Sequence, residues 1–224
     1  MDTILYVETI KKECAFLEKE GYTFTQLENN IYYTKETDLE GFRIRFSWLE
    51  YGDTFAVQGL TAEKRYNIIE QEIQKVLGGK FDSYYTIHTS PSVNNAPKGL
   101  EITNFANNTR YRTNTVNDIE LFCGFVKFFY ESSAIVFFDN HKEFTKTAEL
   151  YGKLEREKIS SLIINDGTDI FYRELVIKNK AKSIDENDFV EMVITELEPL
   201  KTNSTFGTIL ENFKLLQSNL QANV

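Results

Sequence analysis

Hydrophobic positions recur at a helical period near the N-terminus. Their stripe consists of Val7, Ile10, Cys14 and Leu17. A spacing of three to four residues predicts an amphipathic helix. Asp2 or Thr3 can cap its start, and Gly21 lies where a left-handed residue ends a helix.

Alternating positions follow and predict antiparallel strands. The clearest strand places aromatic and aliphatic residues on one face and polar residues on the other; the first set is Phe42, Ile44, Phe46 and Trp48, and the second is Arg43, Arg45 and Ser47. Turns are predicted at Asn29-Asn30 and Gly52-Asp53, with a returning strand at residues 55–57. A second helix is predicted to begin at a Thr61 cap and to end at Gly78-Gly79.

Residues 90–117 have a different composition, with seven Asn and two of the three Pro. We interpret this stretch as a polar connection with short extended pieces at 100–102 and 110–112.

The remainder of the chain has mainly helical patterns. A helix over roughly 116–131 is apolar around most of its circumference, which predicts a buried central helix. Residues 134–138 fit a short strand or a helix, and 141–157 fit a charged helix. Asp166-Gly167 predicts a hairpin over 160–177, although its second arm, 169–177, also fits a helix. Two more helices are predicted, one starting at Asp185 or Asp188 and the last amphipathic.

Together these elements predict an α+β fold, in which helices pack on an antiparallel meander and the C-terminal half is more helical. We expect a first lobe at 1–89, the connection at 90–117 and a mainly helical lobe at 118–224, packed as one compact unit.

The charge balance narrows the classes of function. With 25 Lys and Arg against 34 Asp and Glu, the net charge is −9. This argues against wrapping nucleic acid and against docking on an anionic bilayer. No signal peptide is visible, and charges within 119–138 argue against a membrane span. We therefore expect a cytoplasmic protein, with Cys14 and Cys123 as reduced core thiols.

Catalytic and metal-binding motifs are not apparent. Gly78-Gly79-Lys80 follows a helix, whereas a phosphate-binding loop follows a strand. Residues 165–169 have calcium-type ligands but lack the terminal bidentate Glu, so a turn is the better interpretation. Asp139 is best explained as a helix cap. We expect no metal and no cofactor.

Five residues are candidates for binding: Trp48, His88, Arg112, Asp139 and His141. The two histidines, Asp139 and Arg112 would form a site if a cleft separated the two halves. Trp48 fits the core, but near a strand end it could serve an interface. Nucleic-acid binding is a weaker option, and it would use Arg43, Arg45, Arg110 and Arg112. We expect no nucleic-acid partner.

The order of elements resembles that of uncharacterised bacterial cytosolic proteins similar to immunity and accessory proteins of polymorphic toxin systems. The resemblance is carried by the first helix with Gly21-Tyr22, the meander ending at 54–57, the helix at 66–77, the apolar run 119–138 and the segment 161–177. It implies a non-enzymatic protein that binds another protein, and it brings no functional residues with it.

Two hypotheses follow. The first is a soluble protein-binding module whose acidic surface contacts a basic partner. The alternative is an enzyme or small-ligand-binding protein with its site in a cleft between the halves. The oligomeric state is left open.

Overall fold

A computed structural model describes residues 2–78, 85–105, 108–151 and 169–222. The chain divides into two compact units. The first, the sheet unit, contains Met1–Thr37, Gly41–Lys64 and Thr89–Asp139. The second, the helical unit, contains Asp38–Glu40, Arg65–His88 and Asn140–Val224. Each unit is described by itself.

The N-terminal helix is confirmed as two consecutive pieces, α1 (Thr3–Glu13) and α2 (Ala15–Lys19). The Asp2 carboxylate caps α1 by accepting a hydrogen bond from the backbone N–H of Leu5 at 2.8 Å. Gly21 follows α2 with a φ of 87°, a conformation that only glycine adopts without strain.

The predicted meander forms most of a seven-stranded antiparallel sheet. Its strands are β1 (Thr23–Leu27), β2 (Asn30–Glu36), β3 (Glu40–Tyr51), β4 (Thr54–Tyr66), β5 (Ile87–Thr89), β6 (Ile102–Phe105) and β7 (Asn108–Arg112). The strand order is β1-β2-β3-β4-β7-β6, and β5 also pairs with β4. The α+β fold class is therefore confirmed.

Strand register separates the two faces of the sheet as the alternation predicts. Tyr33 lies opposite Ile44. Ile44, Phe46 and Trp48 are buried on this face, and Phe42 is partly buried beside them. Arg45 lies opposite Tyr32 on the other face, which we call the outer face. A one-residue slip would exchange the two faces, so the buried apolar residues fix the register.

The predicted Thr61 helix cap is wrong, because Thr61 lies within β4 and the next helix, α3, spans Asn67–Leu77. Leu60 and Ala62 are buried on the core side. The Glu63 side chain forms ion pairs with two residues of the neighbouring strand β3, Arg43 at 2.5 Å and Arg45 at 3.4 Å. These cross-strand contacts favour an extended backbone over the local helical pattern.

The central apolar helix is confirmed as α4 (Val116–Phe129), which starts at a Thr115–Asp118 capping box. A π-turn at Tyr130–Ala134 joins it directly to α5 (Ile135–Asn140), so residues 134–138 are helical. Asp139 lies in the last turn of α5, and the next helix begins at Phe144. Its predicted role as a helix cap is therefore wrong.

The core of the sheet unit forms where α4 meets the buried face of the sheet. The ring of Phe122 lies 5.2 Å from that of Phe46 and 5.6 Å from that of Tyr111. Cys14 and Cys123 are both buried free thiols here, as predicted. The hydrogen bond with Cys14, together with burial, raises the pKa of the Cys123 thiol, which disfavours the reactive thiolate.

The observed division differs from the predicted lobes at 1–89 and 118–224. α4 belongs with the sheet because its apolar side chains fill the sheet's core. The segment 90–117 is more than a connection, since it supplies β6 and β7. α3, which was expected to close the first lobe, belongs to the helical unit.

By length and composition alone, the helical run Val116–Asn140 is the one described segment apolar enough to cross a bilayer, and half of its most apolar window is buried. The buried half explains the apolar composition, because a helix that packs in a protein core needs apolar side chains there.

The helical unit contains α3, α6 (Phe144–Tyr151), α7 (Asp169–Lys180), α8 (Glu186–Leu197) and α9 (Ser204–Ala222). The strand interpretation of 169–177 is wrong and the helical one is confirmed. The first arm and turn of the predicted hairpin lie outside the described residues. Phe189 of α8 packs edge-on against Phe213 of α9, with ring centroids 6.1 Å apart.

Two phenylalanines of α4 provide a matched test of this core. Phe122 is fully buried and Phe128 is 48% exposed. Phe122→Ala should lower the free energy of unfolding by about 3–5 kcal/mol. Phe128→Ala should change it by less than about 1 kcal/mol. Urea unfolding of both variants measures the difference, and equal losses would contradict the assigned core.

Candidate binding surfaces

Trp48 does not lie at the surface. It is 5% exposed, and its ring packs 5.7 Å from Tyr6 and 6.0 Å from Phe55. The interpretation of Trp48 as a core residue is confirmed, and its use as an exposed interface residue is contradicted. The alternating apolar face of β3 continues to Trp48, which explains why it points inward.

Arg112 lies on the outer face of the sheet and is accessible. Its Nη1 contacts both carboxylate oxygens of Glu101, at 3.0 and 3.2 Å. Surface ion pairs of this kind contribute little to stability. Arg112 therefore remains a candidate for binding, in the sheet unit.

The other three candidates are distributed between the units. Asp139 is exposed in the sheet unit, whereas His88 and His141 belong to the helical unit. His141 is buried, and its carbonyl oxygen accepts a hydrogen bond from Tyr66 Oη at 2.5 Å. Among the described residues, no three His, Cys, Asp or Glu side chains come together as metal ligands.

Four arginines share the outer face of the sheet: Arg43, Arg45, Arg110 and Arg112. Glu63 and Glu101 offset part of their charge, whereas Gln58 is a neutral hydrogen-bond partner. Glu63 contacts the first two, and Gln58 accepts from Arg110 Nε at 3.2 Å. Because these contacts bring fewer carboxylates than guanidinium groups, they do not cancel the positive charge of this face, and the expectation of no nucleic-acid partner stays a prediction.

A buried ion pair organises the helical unit. Arg173 of α7 is fully buried, and its guanidinium binds both carboxylate oxygens of Glu70 of α3 at 3.0 and 3.2 Å. The Thr86 hydroxyl donates to the same carboxylate at 2.8 Å. Such a bidentate, fully desolvated pair fixes how α3 and α7 pack. We interpret it as structural.

A groove in the sheet unit runs beside α4. It has a volume of about 410 Å³, and its lining includes Asn95, Pro97, Leu121, Gly124 and Phe128. A Cβ atom at Gly124 would meet no atom within 4 Å, so the groove is open above the helix. We call this the α4 groove. Its lining is mostly apolar and carries one carboxylate, from Glu120.

The connection between α7 and α8 forms a fixed corner in the helical unit. Lys182 has a φ of 52°, and Ser183 N–H donates to the carbonyl of Lys178 at 2.9 Å, which is the pattern of a left-handed helix end. The Asp185 carboxylate stabilises the corner by accepting two hydrogen bonds, one from Lys178 Nζ at 2.6 Å and one from Ser183 Oγ at 2.5 Å.

These contacts also set the ionisation of Asp185. Partial burial raises the pKa of its carboxyl, but the hydrogen bonds from Lys178 and Ser183 outweigh that effect and hold the pKa below its ordinary value. Asp185 is therefore negatively charged, and the corner stays locked, at neutral pH.

Ile184 projects from this corner and is fully exposed. It borders a depression of about 320 Å³, which is also lined by Ala148 and Glu149 of α6. Glu149 and Lys182 line the depression, and the acidic residues Glu186 and Asp188 follow it in the sequence. We call Ile184 with these residues the Ile184 corner. In the sequence, Ser183 and Asp185 resemble an ordinary helix start. Nothing in the pattern therefore predicted that Ile184 would be exposed at a fixed turn.

A comparison with known protein families, curated proteins and solved structures finds no match to this chain.

The ionic lock at the corner can be tested by NMR titration of Asp185. Its pKa should lie below the ordinary value of about 3.9. Lys178→Met should raise that pKa above the wild-type value, because burial then acts without the lysine charge. Ser183→Ala should raise it by less. An unchanged pKa in Lys178→Met would contradict the lock.

The buried pair can be tested with a double-variant cycle. Glu70→Leu should lower the free energy of unfolding by about 3–5 kcal/mol, because a buried guanidinium loses its carboxylate. Combining it with Arg173→Met should restore part of that loss. Urea unfolding gives the coupling, and strictly additive losses would show that the two groups do not interact.

Proposed function

We propose that this chain is a non-enzymatic protein-binding module of the bacterial cytoplasm that binds a basic partner. The observation that carries the proposal is the Ile184 corner. A fully exposed isoleucine is held in a fixed turn, and the carboxylates of Asp185, Glu186 and Asp188 outnumber Lys182 in the stretch around it.

The corner combines the two properties that a protein interface needs. An apolar anchor that is already ordered loses little conformational entropy on binding. Acidic residues around it attract a positively charged surface and increase the association rate. The net charge of −9 acts in the same direction. These features support a partner that offers an apolar pocket flanked by Lys or Arg.

The buried charges offer less support for catalysis. Glu70 with Arg173, and Glu63 with Arg43, are engaged in ion pairs beneath the surface. Neither pair borders the α4 groove or the Ile184 corner. An immunity or accessory protein that neutralises a basic toxin fits this proposal. The alternative of a site in a cleft between the halves remains a hypothesis.

The corner can be tested by selecting binders from a random peptide library displayed on phage. Peptides selected on the wild type should combine Lys or Arg with an apolar residue, and added salt should weaken their binding. Ile184→Asp should lower their affinity at least tenfold. This exposed substitution should leave the free energy of unfolding nearly unchanged.

Leu39→Asp is the matched control, because Leu39 is also exposed and belongs to the same unit. It should leave peptide binding unchanged. The proposal is wrong if the selected peptides lack basic residues, or if they bind Ile184→Asp as tightly as the wild type.

A further inference from the structure

Strand β1 forms one edge of the sheet, since it lies first in the strand order, beside β2. Its side chains are exposed apart from Phe24, which is partly buried. Natural sheets protect such edges with charged residues, proline or a bulge. The sequence Thr-Phe-Thr-Gln-Leu has no charge and no proline, and its register with β2 runs without a bulge. The edge is therefore open to pairing with another strand.

The turn between β1 and β2 decides which backbone groups of β1 point outward. Only two residues separate Leu27 from Asn30, so these two form a hydrogen-bonded pair. Such pairs alternate along an antiparallel ladder, so every second residue of β1 bonds to β2. The intervening residues, Phe24 and Gln26, direct their N–H and C=O groups away from it. Within the described part of the chain, no hydrogen bond reaches these four groups.

The open part of the edge is limited on both sides. Before the strand, the N–H of Tyr22 donates to the carbonyl of Leu17 at 3.0 Å. After the strand, the carbonyl of Glu28 accepts from Gln26 Nε2 at 3.1 Å. The edge thus offers two donors and two acceptors, all from Phe24 and Gln26.

We propose that β1 pairs with β1 of a second copy of the chain, antiparallel and about a two-fold axis at Thr25. Phe24 then lies opposite Gln26 of the second copy, and the two residues exchange N–H and C=O bonds. The axis repeats this pair, so every outward group of both copies is used. An axis at Phe24 or at Gln26 would instead oppose Tyr22 or Glu28, each of which has a backbone group already engaged.

The side chains that meet across this axis are neutral. Thr25, which shares the outer face with Tyr32, lies opposite Thr25 of the second copy, and paired threonines are a favourable cross-strand contact. The exposed Leu27 lies opposite Thr23 of the second copy. The inference does not depend on the Ile184 corner, which belongs to the helical unit.

Charges beside the strand act on the same pairing. Glu28 comes opposite Tyr22 of the second copy, and Lys35 Nζ lies 5.8 Å from the centre of the Tyr22 ring. A carboxylate therefore approaches an ammonium group at both ends of the pair. Lys11 Nζ lies 5.2 Å from the centre of the Phe24 ring, and the axis brings it towards Lys11 of the second copy. Because Lys11 is exposed, salt screens this repulsion.

Sedimentation of the full chain over a concentration series tests the proposal. So few main-chain hydrogen bonds make a weak interface, and the series should therefore reach about 1 mM. The apparent mass should rise from 26.1 kDa towards twice that value.

Thr25→Lys and Thr25→Glu should each abolish the rise, because each places a charge directly opposite the same charge. An equal mixture of the two variants should dimerise again, since lysine then faces glutamate. Loss of folding cannot produce this rescue on mixing. The control is Thr103→Glu, at an exposed position of β6 on the other edge of the sheet, which should dimerise like the wild type.

A second pair of variants tests the backbone bonds themselves. Gln26→Pro removes an outward N–H and leaves the N–H groups of the β1–β2 ladder in place, so it should abolish dimerisation while the monomer stays folded. Gln26→Ala keeps the N–H and should dimerise like the wild type. Circular dichroism of both variants checks the fold.

The proposal is overturned if the wild type stays monomeric over the series, if either charged variant dimerises alone or if their mixture does not recover. An unrelated Val-Thr-Val-Thr-Val peptide provides the alternative occupant. If a monomeric wild type binds it, with the amides of Phe24 and Gln26 protected from hydrogen exchange, the edge accepts a foreign strand and the proposal is equally overturned.

Discussion

The sheet unit depends on the packing of α4 against the buried face of the sheet. Phe122 inserts its ring between those of Phe46 and Tyr111, and this contact requires the strand register that places Ile44 opposite Tyr33. The register in turn places the arginines on the outer face, where Glu63 forms ion pairs with two of them. One packing constraint therefore decides both where the core lies and which face of the sheet carries the arginines.

Local periodicity was sufficient to predict those elements whose tertiary contacts favour the same secondary structure as their own sequence. The alternation of β3, the Asp2 cap of α1 and the apolar circumference of α4 were all interpreted correctly. The prediction failed where a distant contact decides the structure. Thr61 resembles a helix cap in the sequence, but the ion pairs of Glu63 stabilise that segment as a strand. The polar segment 90–117 offers little periodicity, so its two strands emerge only from pairing with β4 and with each other.

The candidate surfaces were harder to predict than the fold. Histidine and tryptophan attract attention in a sequence, yet Trp48 and His141 are buried. Ile184 is an ordinary residue whose role follows from the turn that exposes it, and that turn depends on the bonds of Asp185 with Lys178 and Ser183.

The account assigns the Ile184 corner as the surface for a basic partner. Isoleucine methyl NMR tests this directly, because Ile184 is fully exposed in the helical unit and Ile135, exposed on α5 in the sheet unit, is an internal control. We predict that a selected basic peptide shifts the Ile184 methyl signal and leaves Ile135 unchanged. Peptide-induced shifts confined to Ile135, or no response at either methyl, would contradict the account.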